Sequence, residues 1–190
     1  MITRYQIQPR GNMQVTTDDQ ANWIRVSAPL PQELQTLATT YGLPATYLAA
    51  ATDQHENARV EGLNPADQVP GLIVLRYPVE TTSETGFDQY NTVPMTMILL
   101  NDRVITITHD PLQAFDDLAQ QKLSPKPEEF ALEVLWLVLH QFVIAMDKLN
   151  DETKQIERSL GKAAKNTQLY QLMAMQKGLV FFDAALDHSG

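Results

Sequence analysis

The chain has no cysteine, and only 8 of its 190 residues are glycine. Without cysteine there is no disulfide framework and no thiolate metal centre. The glycines are scattered, so no glycine-rich loop exists to cradle a phosphate. Serine is scarce and no Gly-x-Ser-x-Gly elbow is present. Basic residues are the minority charge: 14 Lys and Arg against 23 Asp and Glu, a net charge of −9. Phosphate binding needs a basic face, so a nucleic-acid partner is not expected. The first residues, Met1-Ile2-Thr3-Arg4-Tyr5, lack the apolar core of a signal peptide. The longest apolar run, residues 134–139, is too short to cross a bilayer and is flanked by Glu133 and His140.

What is present is a chain of domain size with an apolar fraction of 44%, enough for a core. The acidity is uneven. Residues 1–125 carry 7 basic and 14 acidic side chains, and residues 126–190 carry 7 and 9. Excess carboxylate keeps a surface soluble and also attracts hard cations.

Hydrophobic period divides the chain into two parts. Residues 2–8 alternate apolar and polar as a half-buried strand does, and Gly11-Asn12 turns the chain. Residues 13–16 and 23–26 are further short strands. Residues 29–41 change to helical period, with Pro31 in the first turn and Gly42 as the left-handed stop. Residues 44–51 form a second short helix. Arg59-Val60-Glu61 is a strand or an extended link. Residues 72–77 read as a buried strand, 81–91 as a polar loop or hairpin connection, and 93–100 and 103–108 as strands joined at Asn101-Asp102. Asp110 caps a helix expected to run to about Gln121 with Pro111 at its first position.

After the rigid linker Ser124-Pro125-Lys126-Pro127 the pattern is purely helical. Leu132, Leu135, Leu139, Phe142, Met146, Leu149, Thr153, Ile156 and Leu160 alternate spacings of three and four, the rhythm of a packed helical seam. Such a helix would be about 50 Å long. A returning helix carries Leu169, Leu172, Met173, Leu179, Val180 and Leu186, with Phe181 and Phe182 making it apolar on both faces. The expected fold is α/β: a mixed, mostly antiparallel sheet flanked by short helices (residues 1–123), then a long antiparallel helical hairpin (residues 124–190). The seam calls for more helix, from this chain or a neighbouring subunit.

Residues able to carry chemistry are sparse. The four histidines (His55, His109, His140, His188) lack metal-ligand spacing. His140 reads as a partly buried, hydrogen-bonded side chain, and His109 as a turn residue. Asp116-Asp117 reads as a solvated face and Glu128-Glu129 as charge at a helix start, since neighbouring carboxylates on a helix diverge by about 100°. Asp147 and Asp151 share a face beside Lys148 and Lys154. No catalytic residue and no organic cofactor is assigned, and the chain is not read as an enzyme. A hydrolase built on His109 and Asp110 is the weakest reading.

The order of elements resembles the N-terminal cytoplasmic domain of CorA-type divalent-cation transporters. Asn22-Trp23-Ile24-Arg25-Val26 is similar to that family's Trp-centred strand, followed by its helix and Gly42-Leu43-Pro44. Arg59-Val60-Glu61 with Leu72-Ile73-Val74-Leu75, and the pair of strands at 93–99 and 104–107, are similar to its central strands. Trp136 with residues 147–160, and residues 165–186, resemble its two long helices. The resemblance implies a homopentamer on the cytoplasmic face of a membrane, with Mg²⁺ as transported and regulatory ion. It implies membrane contact only through helices beyond Gly190, since the family's Gly-Met-Asn signature is absent here. It also implies a metal-sensing site after the second short helix. There this chain has Leu48-Ala49-Ala50 instead of the family's acidic pair, and the nearest acids, Asp53 and Glu56, are the candidates. The alternatives are a zinc-transporting relative with the same fold, or a stand-alone module that oligomerises through Phe181, Phe182 and the seam.

Overall fold

The computed structural model describes residues 1–9, 11–17, 20–64, 69–160 and 166–187. Strands β1 (Ile2–Ile7), β2 (Met13–Thr16) and β3 (Trp23–Ser27) lead into helices α1 (Pro31–Tyr41) and α2 (Ala45–Thr52). Strands β4 (Arg59–Glu61), β5 (Gly71–Thr82), β6 (Asp88–Leu99) and β7 (Val104–Thr108) follow, then helices α3 (Gln113–Leu118), α4 (Pro127–Leu160) and α5 (Asn166–Asp187). The seven strands form one sheet in the order β2-β1-β3-β7-β6-β5-β4. It is mixed: β3 and β7 run parallel, while β1–β2, β1–β3, β4–β5 and β6–β7 are antiparallel. The expected fold class is therefore the observed one.

Chain contacts divide the molecule into two compact units, Met1–Leu75 with Pro94–Leu137, and Arg76–Val93 with Val138–Gly190. In the first, β3 is buried at all five positions, because both faces of the sheet are covered. On one face Ile24, Val26, Leu72, Val74, Ile98, Ile105 and Ile107 pack with Leu34 and Leu37 of α1 and Tyr47 and Ala50 of α2. On the other, Trp23 is fully buried, with its ring 4.7 Å from Tyr5, 6.0 Å from Phe115 and 5.1 Å from Phe130. Its indole N–H donates to Thr106 Oγ1 at 3.0 Å, so the one polar atom of the ring is satisfied. Arg25, on the same face, pairs with Asp116, donates to the Leu112 carbonyl and lies over the Phe115 ring. The Asp116-Asp117 pair is thus not simply a solvated face. Asp116 neutralises a buried guanidinium brought there by β3, which no local pattern reveals.

Turn chemistry follows the residues. Gly11 at φ 77° turns β1 into β2. Gly42 at φ 63° stops α1, and its N–H reaches the Ala38 carbonyl. The Leu100 N–H donates to the Arg103 carbonyl at 2.9 Å across Asn101-Asp102, closing the β6–β7 hairpin. Residues 81–91 are the hairpin connection of the two expected forms, with the turn confined to Ser83–Phe87 and the Thr- and Tyr-rich arms continuing as strand on either side. One expectation fails locally. Asp110 caps nothing: Leu112 is buried and extended, so α3 starts only at Gln113 and lasts six residues.

In the second unit, Phe182 of α5 is buried against Phe142 of α4, ring centres 5.2 Å apart and nearly perpendicular. It also lies 5.5 Å from the Tyr90 ring on β6. The small residues Ala174, Gly178 and Ala185 let α5 settle close to its neighbours. A Cβ at Gly178 would stand 3.3 Å from the Tyr90 backbone nitrogen.

Candidate functional site

Three places could carry function: the acidic segment after α2, the charged groups around His109, and the outer faces of α4 and α5. Asp53 closes α2, and its carboxylate accepts the His55 backbone N–H at 2.8 Å, an Asx turn that fixes the loop. Asp53 is exposed, whereas Glu56 is more sheltered, its carboxylate 3.1 Å from Arg59 Nε. Arg59 also pairs with Glu61. The two candidate acids thus sit on one short loop but play different parts: Asp53 presents a carboxylate to solvent, and Glu56 is engaged by a guanidinium. Among the described residues no three His, Asp or Glu side chains converge into a cluster able to hold a metal ion. A cation on this loop would be held by one or two carboxylates and by water, as Mg²⁺ accepts.

His109 has Gln54 Nε2 2.8 Å from its Nε2, and Asp110 Oδ2 3.4 Å from its Nδ1. The imidazole therefore bridges the loop after β7 to the end of α2, and all three side chains are exposed. His140 is exposed, not half-buried as its place beside the seam suggests. It falls on the outer side of α4 because the buried row is a different one from that expected. His188 and the pair Asp18-Asp19 lie outside the described residues.

The buried row of α4 is Phe130, Val134, Val138, Phe142, Ala145, Leu149 and Ile156. Of the expected seam, Phe142, Leu149 and Ile156 are inside, but Leu132, Leu139 and Met146 are exposed. The helix is apolar on two faces, and 3.6-residue geometry lets both rows satisfy the same three-four spacing. The outer row is Leu132, Trp136, Leu139, Val143 and Met146, with Trp136 72% and Leu132 65% exposed. On α5, Leu169, Met173, Leu179, Val180 and Leu186 are exposed too. Met146, Leu179, Val180, Phe182 and Leu186 line a groove of about 450 Å³, with Gln176 and Asp183 at its polar margin. The Phe181-Phe182 strip divides as a two-faced helix should: Phe182 is core, and Phe181 is half-exposed with Lys177 over its ring. Scattered exposed apolar residues are ordinary, but a continuous row of large ones marks an interaction face.

Among the described residues one helix, Pro127–Arg158, is long and apolar enough by length and composition to cross a membrane. Reading for runs misses it because Glu133 and His140-Gln141 interrupt its apolar residues. Phe130 and Val134 of this helix are buried within the fold.

Residues 18–189 match the family described as CorA-like Mg2+ transporter protein. The chain belongs to this family. Its fold is similar to the soluble domain of CorA from Methanocaldococcus jannaschii, at 20% identity and a TM-score of 0.78, over 99% of this chain and 75% of that one. It is similar to the complete CorA magnesium transporter of the same organism at 19% identity and a TM-score of 0.75. That match covers 99% of this chain and 59% of the other, so the chain spans 59% of that relative's length. The ZntB cytoplasmic domain from Vibrio parahaemolyticus RIMD 2210633 has the same fold at 12% identity and a TM-score of 0.72, covering 98% and 75%. No curated protein matches the sequence. The family is one of transporters.

Proposed function

We propose that this CorA-family chain is the cytoplasmic, ion-responsive part of a divalent-cation transport protein, and that Mg²⁺ is the ion transported and sensed. The family match over residues 18–189 carries this reading. On it, residues 1–123 are the α/β sensing domain and residues 124–190 begin a stalk. The outer row of α4 and the groove beside α5 are what a stalk helix and neighbouring subunits of a homopentamer would cover. Membrane contact is made by further helices, and the work is gated passage of an ion rather than covalent chemistry.

Asp53 and Glu56 are proposed as the metal-responsive acids. Asp53 offers a carboxylate toward solvent, and a cation shared with an acid of another subunit would compete with Arg59 for Glu56. Losing the ion leaves carboxylates facing one another and favours separation of subunits.

The test is thermal unfolding in MgCl₂ against NaCl of matched ionic strength. Mg²⁺ should raise the melting temperature beyond the NaCl control, and Asp53→Asn with Glu56→Gln should remove the excess. Equal shifts in both salts would reduce the effect to screening and discard these two residues as the site. The likeness to the Vibrio ZntB domain makes Zn²⁺ the second ion for the same series. A larger excess with Zn²⁺ than with Mg²⁺ would replace the magnesium reading by the zinc one.

A further inference from the structure

The connection from β4 to β5 and the turn from β6 to β7 flank an open hollow that the transport reading does not use. Its volume is about 530 Å³, within the range of small-molecule sites. Leu63, Asn64 and Val69 of the connection, Leu100 and Asn101 of the turn, and Glu128 of α4 line it. All six belong to the first compact unit.

The backbone around the hollow is fixed at several points. Gly62 turns at φ 64°, and a Cβ there would stand 2.6 Å from the Pro70 carbonyl oxygen. A Cβ on Gly71 would stand 2.7 Å from Leu63 Cδ2. The buried Tyr47 donates its hydroxyl proton to the same Pro70 carbonyl at 2.8 Å. The two ends of the connection are thus held against each other without any ligand.

The lining is selective in charge. Among the described residues it holds one carboxylate, two primary amides and apolar side chains, and no lysine or arginine. Of the acids that open α4, Glu129 accepts from Lys126 Nζ and from the Ser124 hydroxyl, both at 2.6 Å, and Glu133 accepts the Ser124 N–H. Glu128 has no hydrogen-bond or ionic partner among the described residues, and it is the acid that lines the hollow. Glu129 already supplies the negative charge that a helix start favours. An unpaired carboxylate with amide oxygens nearby suits a cation, and an anion would meet no counter-charge. A bare hydrated metal ion would leave Leu63, Val69 and Leu100 without a role.

We propose that this hollow binds a small organic primary amine. Its ammonium pairs with Glu128, with the Asn64 and Asn101 amide oxygens as further acceptors, and its apolar body lies against Leu63, Val69 and Leu100. The site shares no residue with the loop of Asp53 and Glu56, so it stands whichever ion that loop serves.

The test titrates the 190-residue chain with three probes of one shape, followed by backbone amide NMR at fixed ionic strength and about pH 7. The probes are 2-phenylethylamine, a cation there; 2-phenylethanol, neutral; and 3-phenylpropionate, an anion. The amine should give saturable shifts at Gly62, Gly71 and Leu100, with a Kd of about a millimolar. The alcohol should bind about fivefold more weakly or worse, the size expected of one partly exposed charge pair, and the anion should not saturate. Glu128→Gln, a change at an exposed position, should reduce the amine to the affinity of the alcohol. Equal affinity for amine and alcohol, a saturating anion, no saturable shift, shifts confined to other residues, or unchanged amine affinity in Glu128→Gln would each overturn the site. The comparison of probes uses the parent chain alone, so it decides the matter even without the variant.

Discussion

Single residues in this chain are decided by what they meet from far along the sequence. Arg25 is buried because Asp116 and the Leu112 carbonyl, about ninety residues away, receive its guanidinium. Glu133 shows the same dependence with a pH consequence. Its carboxylate accepts the Ser124 backbone N–H at 3.2 Å and so ties the proline linker to the start of α4. Burial raises its carboxyl above the ordinary 4.5, the Ser124 N–H opposes the rise, and Glu129 adds to it. The stabilisation is therefore full below pH 4.5 and declines as pH rises through the folded value. Glu133→Gln keeps an acceptor for Ser124 without the charge. Urea midpoints of the two proteins should differ little at pH 4.5, and at neutral pH the variant should be the more stable. A variant weaker at neutral pH would mean that the ionised carboxylate is needed at the linker. Neighbouring residues show only the i,i+4 pair Glu129 and Glu133, not the linker above it.

Among the elements, those with local causes are legible in the sequence and those with distant causes are not. The α1 stop at Gly42, the β6–β7 hairpin at Asn101-Asp102 and the long helix after Pro127 follow from φ preference, turn chemistry and period, and all stand where those causes put them. The inner row of α4 does not follow, because two apolar rows compete: Phe142 and Ala145 are inside and Leu139 and Met146 outside, and the partner of Phe142, Phe182 of α5, lies forty residues away in the sequence. The same holds for the candidate metal acids. The resemblance nominates Asp53 and Glu56 as the acids nearest the family's acidic pair, whereas the engagement of Glu56 by Arg59 is visible only in three dimensions. Gly178 is the sharpest case at this scale. In an α-helix a glycine is unfavourable by about 1 kcal/mol against alanine, so its presence in α5 asks for a packing reason. That reason is the Tyr90 backbone, 3.3 Å from where a Cβ would stand. Gly178→Leu should displace α5 from β6 and lower stability by roughly 1–3 kcal/mol, despite better helix propensity. Chemical denaturation measures the loss, and Tyr90 amide exchange should report it locally. A variant as stable as the parent would show that α5 does not need this close approach.

The molecule as a whole carries apolar surface on α4 and α5 that its own fold does not cover, and its two tryptophans report on it from opposite sides. Trp23 is 0% exposed and serves as the centre of an aromatic core, while Trp136 is 72% exposed in the outer row of α4. Polar residues could occupy that row at no loss to the α/β core, so the core does not account for its apolar character. Iodide, which quenches only solvent-reached indoles, should therefore quench the Trp136 part of the emission in the isolated chain and leave Trp23 untouched. Trp136→Phe should abolish the quenchable fraction, which assigns it. If the row is an assembly surface, raising protein concentration or joining the chain to the remaining helices of a CorA-type protein should hide Trp136 and shrink that fraction. Leu132→Glu should restore it by weakening the contact, with no loss of melting temperature in dilute solution, because Leu132 packs against little of its own chain. A quenchable fraction that stays constant from the dilute chain to the assembled protein would place the subunit contacts elsewhere, and the outer row of α4 would then need another partner.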